Sequence, residues 1–567
     1  MQKPTPLPPR VMWLALATLG ILLLLPTSRY LLRTHLQMEA LDYRPERDLD
    51  VERAIAAHRP DDYPIQLALA TDVPPLSAWE SERNAKSTAA SLGRDRRIQA
   101  LTLQFPNNPS TYANLLRYMS IADVKLWYGE ETGGKGTAAP TVAAPSPEAL
   151  AMFESAARKG AELEPENAYF PMMQAMGYRA AHQEREALNA LETASRCTQW
   201  REYFQDDIKG RLRLQHAAYG ERLAEQDMGT LYDLTFPHYA QLRALARSIR
   251  HLTSEDERAG KFAEGIALRH ALMRCGGLMR AQGTSGITSL VGVAITHIAI
   301  QNPGGVEDPP YPDSGKNKVE DQVRNRWVAA SHDRYCAYLE SVGQVQEAQW
   351  ARTELTTATQ AKALLIEGFH NKAEDGSRAV QFCISWLVNL VLFCSAIVLL
   401  ALGGMAHYAR QIHSKQKPYH KLLPLLRAGY ALTAIGGIGL WQWAAVDGGL
   451  APCNSIYSLV AGDAPGNLAA FQCFIFGVSL LIPVLFVGLL AAISQRHGVP
   501  LAIGLGRGLR GAAIPVASVL FVLYGVSLLP TACLESLYKT HIVRTIQNEP
   551  QYWAENAHKS WPGDPQP

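Results

Sequence analysis

The residues best suited to metal or nucleophilic chemistry are sixteen histidines and eight cysteines, and their spacing supports neither use. Ten of the histidines fall between His35 and His370, yet none forms His-Glu-x-x-His, which sets two ligands one helical turn apart. His332 and Asp333 are neighbours on a helical stretch and so project in different directions. The cysteines are scattered, with no Cys-x-x-Cys pair of the kind zinc ribbons and thioredoxin-type sites use. Neither a Gly-x-Ser-x-Gly elbow nor a Gly-x-x-x-x-Gly-Lys-Ser/Thr loop occurs. No catalytic residue, cofactor-binding residue or metal ligand can be named, so the expectation is a non-enzyme with no cofactor. A net charge of +2 over 567 residues gives no case for nucleic-acid binding.

Four long apolar runs dominate the carboxyl-terminal third: 380–405, 428–446, 468–494 and 512–529. Crossing a bilayer takes about 20 apolar residues, and no Asp, Glu, Lys or Arg interrupts any of the four. Residues 11–32 add a fifth run after a basic, Pro-rich start at 1–10. It reads as an uncleaved signal anchor, because no clear small-x-small cleavage site follows; a cleaved signal peptide is the alternative. Within the spans Asn389, Gln442 and Gln472 are the strongly polar residues, with Gln381 at an edge. Proton and ion carriers place carboxylates or histidines there, so such chemistry is disfavoured.

Cationic residues in short connections mark the cytoplasmic side. The connection 406–427 carries Arg410, Lys415, Lys417, Lys421 and Arg427 without an acid, and 495–511 carries Arg496, Arg507 and Arg510. The connection 447–467 has neither Lys nor Arg. The chain therefore looks like a bacterial-type inner-membrane protein. Its amino terminus and basic connections are expected in the cytoplasm, with 36–376, 447–467 and the tail 530–567 outside. Cys453 and Cys533 then lie beyond outward span ends, as separate thiols or as a disulfide tying loop to tail. The segment GLGRGLRG (504–511) has two readings. Its amides could cradle a phosphate, or Gly504, Gly508 and Ala512 could form a close-packing helix face, which the lack of a preceding strand favours.

Residues 36–376 read as helix after helix, with Gly and Pro falling between periodic segments. A junction recurs at 54–70, 99–116 and 157–175, where a helix-like run stops at Pro60, Pro106 or Pro165 and a new one begins. Residues 129–147 form a Gly/Ala/Pro/Thr insert expected to be a flexible loop. Farther on, Ser254–Glu257 reads as a capping box opening a helix to about Ala281. The apolar stretch 287–300 is short for a span and reads as a buried central helix. Helices are expected at 318–342 and 344–370, then a polar turn over Asn371–Ser377.

After the third junction, Ala175 and Tyr178 fall where a first repeat helix carries a small residue and an aromatic, and Ala187, Leu191 and Ala194 have the spacing of a second helix. This unit resembles a tetratricopeptide repeat, with Pro165 closing the preceding one. The resemblance covers one good unit and two degenerate ones, and it implies antiparallel helix pairs that present a concave surface to proteins or peptides. An irregular helical bundle is the other reading of the domain. The expected fold is all-α: an extracytoplasmic helical domain, tetratricopeptide-like or irregular, plus a five-span transmembrane bundle. The expected role is a scaffold for a protein or peptide partner, with membrane lipid around the spans. A permease or mechanical-coupling subunit of a transport complex is the alternative, since one span, an outer domain and a membrane cluster look like the permeases that partner ABC ATPases.

Overall fold

Each proline junction separates two helices, because proline can neither donate to the preceding turn nor fit within it. The computed structural model describes residues 48–71, 85–122, 145–220, 236–301, 318–371, 373–412 and 485–557, with a few isolated positions besides. Of these residues 85% are helical and none forms a strand, so the described chain is all-α. Contacts divide it into two units, one formed by 48–218, 232–370 and 544–567 and the other by 1–47, 219–231 and 371–543.

The first unit begins with α1 (Leu49–Ala57) and α2 (Tyr63–Thr71), separated at Pro60. Next come α3 (Ala85–Gln104) and α4 (Pro109–Ala122), separated at Pro106. Then α5 (Pro147–Leu163) and α6 (Tyr169–Ala180) part at Pro165, and α7 (Glu184–Arg196) completes a hairpin with α6. Starts are marked as expected for helix N-termini: the Asp48 side chain accepts from Asp50 and Val51, and Ser146 accepts from Ala149 ahead of Pro147. From α2 to α7 each helix packs on the next in order. Most of the insert 129–147 lies outside the described residues.

Five further helices complete this unit before α13: α8 (Phe204–Tyr219), α9 (Pro237–Arg258), α10 (Phe262–Gln282), α11 (Gly286–Ala299) and α12 (Lys318–Ser341). The last is α13 (Val345–Asn371). Helix α9 lies on α4 and α6, α10 on α7 and α9, and α11 on both α9 and α10. Tyr335, Leu339, Trp350 and Ala351 bring α12 and α13 into the same core. The apolar stretch 287–300 is thus a mostly buried helix of this unit.

One expectation fails here. Ser254–Glu257 does not open a helix; it sits inside the last turn and a half of α9. The Ser254 hydroxyl donates back to the Arg250 carbonyl, and Glu257 faces inward to bind Arg269. The break falls instead at Gly260, whose φ of 81° suits glycine alone.

The second unit contains α14 (Ala373–Ile412), α15 (Leu485–Arg496), α16 (Leu501–Gly508) and α17 (Ile514–Ala557) as far as Val543, with a π-helical turn at Leu509–Ala513. That turn stands just before Pro515, whose missing N–H leaves a carbonyl of the preceding turn without its usual donor. Two corrections follow. The polar turn expected at Asn371–Ser377 is helical from Ala373, and the loop expected at 495–511 is helical from Leu501. Helix α17 runs on past Pro530 to Ala557. Two segments, Ser385–Gly404 and Ile503–Thr540, are long and apolar enough to cross a membrane. Residues 11–30, 32, 413–467 and 468–484 lie outside the described residues, and with them the first span (Leu31 apart), the span 428–446 and most of 468–494.

Helix α10 crosses α11 backbone to backbone at Gly276 and Gly292. A Cβ placed on Gly292 would stand 2.4 Å from the Arg280 amide nitrogen and 2.5 Å from the Gly276 carbonyl oxygen. Gly292→Val forces the two backbones apart and is expected to cost about 1–3 kcal/mol. Thermal unfolding followed by circular dichroism checks this, and an unchanged midpoint would refute the crossing.

Candidate functional site

The sequence Phe204-Gln-Asp-Asp-Ile at the start of α8 sets two carboxylates side by side, and a helix turns successive residues by about 100°. Asp207 therefore faces the interior while Asp206 reaches the surface. Asp207 is fully buried, and three helices answer its charge. Its Oδ2 accepts from Arg117 Nη2 and the Tyr118 hydroxyl of α4, both at 2.6 Å. Its Oδ1 accepts from Arg211 Nε at 2.8 Å and from Thr71 Oγ1 of α2 at 3.1 Å. Burial by itself raises the Asp207 pKa, but the Arg211 and Arg117 guanidiniums and the Tyr118 hydroxyl outweigh it and hold the carboxyl at about 2. The Arg117 guanidinium also lies 4.7 Å from the centre of the Tyr118 ring.

A second buried carboxylate, Glu202, lies on the connection before α8. It accepts from the Tyr239 hydroxyl at 2.9 and 3.0 Å, from Thr288 Oγ1 of α11, and from His238 Nε2 at 3.3 Å. Burial lowers the His238 pKa more than Glu202 raises it, so the imidazole is neutral near pH 7 and donates through Nε2. The Tyr169 ring packs edge-on against both Trp200 and His238.

The connection 197–203 is held along the α5–α6 turn. Ala168 N donates to Gln199 O and Gln199 N to Glu166 O, both at 2.8 Å, and Asn167 Oδ1 accepts from Arg201 N at 2.9 Å. Tyr203 then turns the chain with a φ of 59° and donates its hydroxyl to Glu164. This path delivers α8 against α2 and α4, where Gly210 comes so close that a Cβ would meet the Pro64 carbonyl oxygen at 1.9 Å. Helix α8 thus packs against α2 and α4, and α9 against α4 and α6.

Both carboxylates are sealed from solvent and occupied by donors, so they organise structure. The solvent-facing feature beside them is an open cleft of about 720 Å³ where the α1–α2 turn and the α3–α4 turn meet α8. Arg59 and Asp61 stand exposed on it, Arg213 forks onto Asp62, and Asp206 accepts from Ser110 Oγ at 2.6 Å. Paired and exposed charges of both signs suit a polar, extended ligand. Among the described residues no cluster of three or more His, Cys, Asp or Glu has metal-site geometry.

The residues singled out for repeat packing come together. Ala175, Ala187, Leu191 and Ala194 are fully buried along the α6–α7 hairpin, and half-buried Tyr178 accepts from Gln174. Cys533 is exposed on α17, whereas Cys453 lies outside the described residues. Gly504 and Gly508 face Ser494 and Leu490 of α15 at close range, so packing is the use they have here. In the second unit, Asn389 of α14 is buried against α17. Its Nδ2 donates to Thr531 Oγ1 at 2.7 Å, its Oδ1 accepts from Ser527, and Ser385 pairs with Thr531 at 2.5 Å.

Asp207, Glu202 and Arg117 were not singled out from the sequence. A signal for one existed: Arg117 interrupts the apolar run Leu115-Leu116-Arg117-Tyr118-Met119, where a charge demands a partner. Comparison of the chain with protein-family models, with curated proteins and with solved structures finds no match.

Two outcomes are expected. Asp207→Asn leaves Arg117 and Arg211 facing a neutral amide and should cost roughly 3–5 kcal/mol in denaturant unfolding of the intact chain. Because folding depresses the Asp207 pKa, its contribution is complete above the unfolded-state value near 4 and is lost as pH falls through about 2. The acid-unfolding limb of the wild type should therefore be shallower in Asp207→Asn.

Proposed function

We propose that this chain is a multi-pass inner-membrane protein whose helix-hairpin domain, outside the cytoplasm, binds a protein or peptide partner. The observation that carries the binding role is the mixed-charge cleft at the ends of stacked hairpins. Side chains of α8 meet α2 and α4, and α9 packs on α4 and α6, so those helix faces are taken up within the unit. The partner surface in this reading is therefore the cleft around Arg59, Asp61 and Arg213. Support for the membrane setting comes from two helices of spanning length and from cationic residues clustered in alternate connections. Five spans, with the amino terminus inside and the domain and tail outside, is the arrangement that accounts for both. The Asn389–Ser527–Thr531 seam fits this setting, because amide and hydroxyl groups between spanning helices are worth about 0.6–2 kcal/mol and fix register.

A second reading, a mechanical-coupling subunit of a transport complex, is favoured by the lengths of α14 and α17. At 40 and 44 residues they extend about 60 Å or more, roughly twice the hydrocarbon thickness. Helices that long can carry displacement beyond a membrane surface.

Reporter fusions and site-specific crosslinking test the proposal in cells. A reporter at Ser414 should be active only on the cytoplasmic side, and activity only outside would overturn the topology. A photo-crosslinker at Asp61 should give a discrete adduct that Arg213→Glu abolishes, whereas a crosslinker at exposed Leu103 should give none. A copurifying cytoplasmic ATPase, lost on deleting 413–427 and with no adduct at Asp61, would favour the coupling subunit.

A further inference from the structure

His297, near the end of α11, and His332, in the middle of α12, are 35 residues apart in sequence and face each other in the fold. Nδ1 of His297 stands 3.4 Å from Nε2 of His332, with ring centroids 4.9 Å apart and planes inclined by 27°. Both backbones are held. Helix α11 is pressed on α10 at the glycine crossing, and α12 is pinned where the Arg269 guanidinium lies 4.7 Å from the Tyr335 ring centre. Helix α13 closes the third side, with Ala358 and Ala361 packed on Val293 and exposed Lys362 next in sequence. His332 is buried, while His297 is half-buried and open to an ion from solvent.

Two neutral imidazoles at this separation can share one N–H···N hydrogen bond. The same separation meets a second condition. Zinc–nitrogen bonds of about 2.0–2.1 Å at the tetrahedral angle place two donor nitrogens about 3.4 Å apart. We propose that His297 and His332 are two preformed ligands of a site for a zinc-class divalent cation, with solvent completing the coordination. The imidazoles are available in the form a metal needs. Burial, the facing His332 and Lys362 push His297 down to about 3, and burial pushes His332 down to about 4 against the Asp333 carboxylate and the contact with His297. On binding, the hydrogen between the rings moves to the outer nitrogen of its own ring, so no net proton is released near neutral pH. No third His, Cys, Asp or Glu joins the pair among the described residues, which leaves the remaining positions open. The charged groups whose fields act on the pair are the Lys362 ammonium on α13 and the Asp333 carboxylate next to His332 on α12. The ammonium opposes a dication, but it sits on an exposed side chain that can swing outward.

The test uses the full-length chain in detergent, stripped of metal, titrated with Zn²⁺ by calorimetry and with Co²⁺ as an optical probe. One equivalent of Zn²⁺ is expected, weakened at least tenfold in His297→Ala and in His332→Ala and retained in His270→Ala. Four-coordinate Co²⁺ absorption should appear in the wild type and be lost with either substitution. Lys362→Ala should tighten binding, an effect a purely hydrogen-bonded pair would not produce. His297→Gln, at the half-buried position, serves if His332→Ala does not fold. Wild-type protein that binds no zinc, or His297→Gln protein that binds it as the wild type does, would overturn the site and leave a hydrogen-bonded pair.

Discussion

A carboxylate removed from water must be met by donors, and Asp207 is where the helical unit satisfies that demand most fully. The desolvation of an unpaired buried charge is worth several kcal/mol, comparable to a large part of a domain's net stability. Four donors from α2, α4 and α8 converge on its two oxygens, so three helices separated widely in sequence have one mutual arrangement that leaves no bare charge. The rest follows from delivering α8 to that place. The connection 197–203 runs along the α5–α6 turn, Tyr203 takes up a left-handed backbone, and Gly210 yields the space for Pro64. With α8 seated, the α1–α2 and α3–α4 turns border the polar cleft with Asp206 and Arg213.

The second unit applies the same rule with neutral groups. Asn389, Ser385, Ser527 and Thr531 satisfy one another between α14 and α17. Such a seam sets which faces of two apolar helices meet, since the same helices paired on another face would bury the amide without a partner. The π turn at Leu509–Ala513 and Pro515 show the backbone version of that accounting, in which a missing donor is absorbed by a local change of ladder.

Helix breaks were readable in the chain because their causes are local. Pro60, Pro106 and Pro165 stand between helices, and Pro109, Pro147 and Pro237 fit first turns. Ser254–Glu257 misled for an equally local reason: its residue types suit a cap, but Glu257 has a stronger use inside, bound to Arg269. Arginines marked 495–511 as a connection between spans, while Gly504 and Gly508 had the spacing of a close-packing helix face, and their packing on Ser494 and Leu490 keeps the segment helical. At Ser254–Glu257 tertiary contact overrode local propensity.

Sequence alone determined the all-α character, the division at the three junction prolines and the place of the apolar stretches within α14 and α17, because each depends on residues within a turn or two of one another. The partners of Asp207 on α2 and α4, the meeting of His297 with His332, and the packing of α8 and α9 on the hairpins were decided only in three dimensions. Arg117 announces that it needs an acid, but nothing in its neighbourhood says that the acid stands 90 residues away. Periodicity tells which face of a helix is buried; it carries no information about which distant face will be laid against it.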